Sequence, residues 1–187
     1  FAFNKLLFLD MLSVYHLFLV ALIFCIASLY AVGYFRHAID EKKFTAADSR
    51  RYVTLWCLFL STMVLVLVSN DMGILWVALE ATTLASAFLI LSKNEPASIE
   101  AMWKYLLICS VGIAIALLGT MLLSAASRQA FTDIDPTLLW TDLQSRAHDF
   151  DPKLMLAAFV FAVVGFGTKA GIAPMHTWLP DAHSQAP

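Results

Sequence analysis

Charge is scarce in this chain. Twelve Lys/Arg and fourteen Asp/Glu serve 187 residues, 14% in all, and they gather between apolar runs. The net charge is −2 and no basic patch is large, which excludes a nucleic-acid partner. Cysteine is scarcer still. Cys25, Cys57 and Cys109 all fall inside apolar runs and share no paired spacing. That excludes a disulfide framework and the iron–sulfur and zinc signatures. It leaves three plain core cysteines, with no cofactor and no metal to expect. A signal peptide with a cleavage site is missing, as is any internal repeat. The chain begins at Phe1 and stops at Pro187 directly after a motif, and so reads as a fragment of a longer membrane protein.

What is present is hydrophobic. Apolar residues make up 60% of the chain, and the mean hydropathy is +0.77. This is the composition of a polytopic membrane protein. The expected fold is all-α, a transmembrane helix bundle with a broken helix near the C-terminal end. Five runs can cross roughly 30 Å of hydrocarbon at about 1.5 Å per residue. They are Met11–Tyr34, Tyr52–Ser69, Met72–Leu91, Ile99–Ala126 and Pro152–Ile172. Asn94-Glu95-Pro96 interrupts the chain, Ser98 is the expected N-cap of the fourth run, and Asp151 and Pro152 are the expected cap and first turn of the fifth.

The connection from Arg36 to Arg51 carries Arg36, Lys42, Lys43, Arg50 and Arg51, whereas the turn Ser69–Asp71 carries no Lys or Arg. The positive-inside rule places the first in the cytoplasm and the second outside. Alternation then places 127–151 outside. Within it, Asp135-Pro136 opens a short helix whose stripe of Leu139, Leu143 and Ala147 would lie in the interface. Trp56, Trp76, Trp103 and Trp178 fall near span ends, as belt residues do.

The informative residues are the ionisable ones inside apolar runs, which are costly there and functional by default. Lys169 ends the fifth run amid Gly165, Gly167 and Gly171, with Pro174 beyond. Gly167, Gly171 and Pro174 would break the helix beside it, so that freed backbone groups line a wet cavity. Glu80 lies about eight residues into the third run, so roughly 12 Å deep. Trp76, Thr83 and Ala87 share its face, and the small residues around it suit an interior surface. It reads either as a proton-handling carboxylate or as one tying helices together. Lys104 has Glu100 four residues before it. It reads either as a snorkelling helix-end lysine paired to Glu100 or as part of a buried chain. His176 and His183 are relay or loop histidines, His16 an interior one, and Asp10 an interfacial carboxylate. A buried lysine and glutamate form a protonic switch, because moving or neutralising the carboxylate decides whether the lysine keeps its proton.

Three strings carry a resemblance: GTKAGIAPMHTWLPDAHSQAP, WVALEATTLASAFLIL and WKYLLICSVGIAIALLGT. They resemble the broken seventh, the fifth and the sixth helices of the antiporter-like subunits of respiratory complex I. That family also includes cation/proton antiporter subunits and membrane-bound hydrogenase subunits. LYAVGYF, GILWVALEATTLAS and EAMWKYLLICSVG look closest to the component F branch of formate-hydrogenlyase-type hydrogenases. The resemblance implies that Glu80 is the fifth-helix glutamate, Lys169 the central lysine of the broken helix and Lys104 a supporting lysine. It implies a prokaryotic inner-membrane protein without its own cofactor. Other membrane subunits and peripheral redox subunits would be its partners, and protons, or sodium, its cargo. The alternatives are an antiporter subunit without redox partners, a membrane subunit of an inorganic-carbon uptake complex, and a structural anchor.

Overall fold

A computed structural model describes residues 2–3, 5–42, 44–91, 95–130 and 137–186. Among these, five helices are long and apolar enough to cross a membrane. They are α1 Met11–Asp40, α2 Ala46–Val68, α3 Met72–Ile90, α4 Pro96–Ala130 and α6 Pro152–Ala170. Two short helices, α5 Trp140–Ser145 and α7 Leu179–Gln185, complete the helical elements described here. A small ribbon, β1 Ala2–Phe3 against β2 Leu7–Phe8, precedes them.

Four helix ends lie outside the apolar runs, and for three of them the reason is local. Thr45 and Asp48 form a capping box that starts α2 in a polar turn before Tyr52. The polar segment Arg36–Asp40 continues α1 past Tyr34. Helix α4 begins at Pro96, a residue suited to a first turn, so Ser98 is not its cap. Ser98 is instead fully buried, with no hydrogen-bond partner for its hydroxyl. Asp71 and Asp151 cap α3 and α6 by accepting from two backbone N–H groups each.

The expected interfacial helix is partly out of view, since Asp135 and Pro136 lie outside the described residues, as do Lys43 and Asn94. Helix α5 begins after Leu139 without a side-chain cap. Leu143 is buried with Ala126 and Phe150, while Ala147 is exposed in a following 3-10 turn. The stripe therefore does not form one face. Asn70 closes this end of the bundle. Its Nδ2 donates to Lys5 O at 2.8 Å and to Thr141 Oγ1 at 3.1 Å, and its Oδ1 accepts from Thr141 N at 3.3 Å.

The tightest helix pair is α4 with α6. Gly112, Ala116 and Gly119 recur on one face of α4 and meet Ala158, Ala162, Gly165 and Thr168 of α6. A Cβ on Gly119 would stand 2.9 Å from Ala158 O, and one on Gly165 would strike the Ala116 backbone. Only small residues let these backbones approach so closely, which is how helices associate where lipid supplies no hydrophobic contrast. By contrast α1 presents its apolar surface outward, with Met11 87% and Tyr30 75% exposed.

The tryptophans correct an expectation. Trp103 faces outward, but the other three tie helices together. Trp56 Nε1 donates to Ser28 Oγ at 2.9 Å, Trp76 Nε1 to Ile113 O at 2.7 Å, and Trp178 Nε1 to Thr168 O at 2.9 Å. A buried indole N–H needs an acceptor, and each finds one on a neighbouring segment. The cysteines also divide: Cys109 is buried, while Cys25 and Cys57 lie on the outward surface rather than in a core.

Candidate functional site

The site forms where α3, α4 and the end of α6 meet. Helix α6 ends in a left-handed Gly171 at φ 79°. Ile172 N donates to Gly167 O at 2.9 Å, and Gly171 N to Thr168 O at 3.2 Å. These two bonds make a Schellman motif, which needs a residue tolerant of positive φ at its turn. Gly171 therefore makes the break. Gly167 lies inside α6 and supplies an acceptor, and Pro174 is exposed in the link to α7. The Trp178 indole takes Thr168 O as well, so the carbonyls of Gly167 and Thr168 are satisfied by protein rather than left to line a wet cavity.

Lys169 occupies the last turn of α6 and points into the bundle. Its Nζ donates to Thr83 Oγ1 at 2.9 Å and to Tyr105 OH at 2.7 Å, and it stands 5.0 Å from the Tyr105 ring centroid. Tyr105 OH is 2.7 Å from Ser86 Oγ, so α3 and α4 both contribute to the grip. Glu80 is one turn from Thr83 on α3. Ser110 Oγ donates to its Oε1 at 2.8 Å. Its Oε2 is buried with no hydrogen-bond partner among the described residues. Glu80 and Lys169 make no direct ion pair within 4.0 Å; hydroxyl groups stand beside each of them instead. A buried carboxylate oxygen without a donor is costly when ionised, and one proton or one water would relieve it.

Lys104 lies elsewhere. It is 46% exposed and pairs with Glu100 and with Asp181 of α7, both at 2.8 Å. It thus latches α4 to α7 at the rim of the bundle. His176 is exposed in the link between α6 and α7. His183 is exposed on α7, its ring edge-on to Trp178 with centroids 6.4 Å apart. It lines a cavity of about 570 Å³, as do Lys169, Tyr105, Ser86, Trp56 and His16. Apolar side chains of α2 and α3 form most of its remaining wall. The cavity is large enough for water or a small molecule to reach the lysine.

Of the expected residues, Glu80 and Lys169 share one neighbourhood through Thr83, and Lys104 and His176 stand apart from it. Tyr105 and Ser110 carry no sequence signal of a site, and Ser86 reads in the sequence only as one of the small packing residues of the third run. All that marks them is that a tyrosine and two serines lie inside otherwise apolar spans.

Comparison with known proteins agrees with this architecture. The family described as NADH:quinone oxidoreductase/Mrp antiporter, transmembrane, matches residues 69–187. A hydrogenase-4 component F homolog of Methylacidiphilum infernorum is 34% identical over 178 residues, covering 95% of this chain and 37% of its own. The NADH-quinone oxidoreductase subunit N of Coxiella burnetii is 29% identical over 189 residues, covering 100% of this chain and 36% of its own. The membrane-bound sulfane sulfur reductase, an archaeal respiratory membrane complex, superposes on 78% of this chain and 28% of its own. The TM-score is 0.69 and the identity 25%. Respiratory complex I of Thermus thermophilus gives a TM-score of 0.62 at 26% identity, over 73% of this chain and 29% of its own. The chain spans about a third of the length of these relatives.

Proposed function

The chain belongs to the NADH:quinone oxidoreductase/Mrp antiporter transmembrane family, and on that premise we propose that it moves protons across a membrane as one subunit of a redox-driven complex. Glu80 and Lys169 are the exchanging groups. The observation that carries this reading is a lysine inside the helix bundle, held by the hydroxyls of Thr83 and Tyr105, with Glu80 one turn from Thr83 and its second oxygen buried without a partner among the described residues. Charged groups inside apolar spans mark ion pathways. Here the pair is coupled but not locked. A direct ion pair would trap both charges, whereas a pair held apart, each on its own hydroxyls, changes occupancy when either partner gains or loses a proton.

The names of the relatives, hydrogenase-4 and NADH-quinone oxidoreductase components, favour partners that include other membrane subunits and peripheral redox subunits. The setting is the inner membrane of a prokaryote, and the cargo is protons. A second reading, sodium/proton exchange without redox partners, rests on the antiporters that share the family description.

The test is made in vesicles carrying the assembled complex. Glu80→Gln and Lys169→Met should each abolish most proton translocation while the complex still assembles. Translocation at the wild-type rate in either variant refutes the relay. Proton movement that appears only against a sodium gradient selects the antiporter reading.

A further inference from the structure

The hydrogen bonds around Lys169 have a direction, and it favours one role. Ser86 has one hydroxyl hydrogen, and its best acceptor is Thr82 O at 2.7 Å. Either oxygen of the Ser86–Tyr105 contact, 2.7 Å long, could donate; with the Ser86 hydrogen on Thr82 O, the donor is Tyr105. That leaves the Tyr105 oxygen to accept from Lys169 Nζ. Thr83 is set in the same sense. Its hydroxyl lies 3.2 Å from Leu79 O, to which it donates, so its oxygen accepts from Lys169. Two backbone carbonyls of α3 thus orient two hydroxyl oxygens towards the amine. A lysine ammonium is a donor only, and this arrangement matches it.

We propose that Tyr105 is a positioning residue for Lys169, and that Tyr105 and Thr83, oriented by the α3 backbone through Ser86, form an acceptor cradle for the protonated amine. This rests on the relay reading. It adds a device that the sequence did not reveal: α3 carries the carboxylate, Thr83 and the Ser86 that holds Tyr105 of α4, so movement of α3 against α6 changes the lysine's contact with Thr83 and its carboxylate distance together. The titratable groups around Lys169 are Glu80 from α3 and Cys109 and Tyr105 from α4, with His16 from α1, Tyr52 from α2 and His183 from α7 on the wall of the same cavity. The Tyr105 ring also covers the amine, so the phenylalanine variant keeps the packing and loses only the hydroxyl.

The test uses the assembled complex in vesicles. Tyr105→Phe and Thr83→Val should each slow translocation about tenfold, the equivalent of about 1.4 kcal/mol. The double variant should fall to the level of Lys169→Met, with the complex still recovered intact. Ser86→Ala removes the acceptor that fixes the Tyr105 hydroxyl. Its translocation pH profile should depart from wild type, whereas that of Ser61→Ala, on the exposed side of α2, should not. A double variant that translocates at the wild-type rate while Lys169→Met is inactive overturns the cradle and leaves the relay standing. An unchanged pH profile in Ser86→Ala overturns the orienting role of Ser86. Full activity of Lys169→Met overturns the relay itself.

Discussion

Gly165→Ala is the change whose consequence follows most directly from the geometry. An added Cβ would stand 2.6 Å from the Cα and Cβ of Ala116, and closer still to its backbone nitrogen. Carbon atoms rest at about 3.5–4.0 Å, so α4 and α6 must part by about 1 Å there. No flexible side chain is available to yield, because the obstacle is backbone. Overpacking of this kind costs about 1–3 kcal/mol. Lys169 follows one turn later on α6, and its bonds to Thr83 and Tyr105 are 2.9 and 2.7 Å long. A parting of α4 and α6 by about 1 Å carries the bond to Tyr105 of α4 beyond the roughly 3.2 Å limit of a good N–H···O bond. The variant should therefore melt earlier in detergent and translocate protons more slowly. Gly33→Ala is the control. Nothing lies within 4 Å of its Cβ position, and alanine there gains up to about 1 kcal/mol of helix propensity. If Gly165→Ala matches Gly33→Ala in melting and in translocation, the close approach of α4 and α6 is not what positions the lysine.

Other outcomes follow from the same structure. Lys104→Met should lower translocation less than Glu80→Gln or Lys169→Met, because Lys104 pairs with Glu100 and Asp181 in an exposed cluster. Raised salt should reproduce part of its effect in the wild type, and salt-titrated translocation assays check this. Asn70→Ala removes three side-chain hydrogen bonds that join the N-terminal ribbon, the turn between α2 and α3, and α5. At about 0.5–1.5 kcal/mol each, their loss should raise hydrogen exchange in residues 5–8 and 138–142 ahead of the bundle, as mass spectrometry of peptides can read. Trp178→Phe leaves Thr168 O with Gly171 N as its remaining donor and should loosen the joint between α6 and α7, seen as faster proteolysis near Gly171 with α1–α4 unchanged.

Much of the fold was legible because lipid imposes a one-dimensional rule. A span needs about 20 apolar residues in a row, and five runs meet it. The limits of that reading have the same origin. Helices such as α2 and α4 carry polar first turns beyond the hydrocarbon, and hydropathy stops where the charge begins, although capping by Thr45 and Asp48 continues α2. Glu80 and Lys169 were visible because a charge in an apolar run stands out on its own. Ser86, Ser110 and Tyr105 were not. A hydroxyl in a helix can always bond its own backbone, as Ser86 does to Thr82 O, and sequence does not tell that from a bond across to another helix. The tryptophans mislead for a related reason, since an indole suits a membrane interface and a buried acceptor equally well.

The sequence by itself determined that this chain is a set of membrane helices, and it singled out a break among glycines and a proline at the end of the last span and three charged residues, Glu80, Lys104 and Lys169, as out of place. Those follow from composition, chain length and the cost of burying charge. Only the tertiary structure decided which faces meet. A helix that is apolar all round carries no periodic signal of its own orientation. The rotation that turns Gly165 onto Ala116, Lys169 onto Tyr105 and Lys104 away to Asp181 comes from close packing of small residues, which shows itself only when the helices are together.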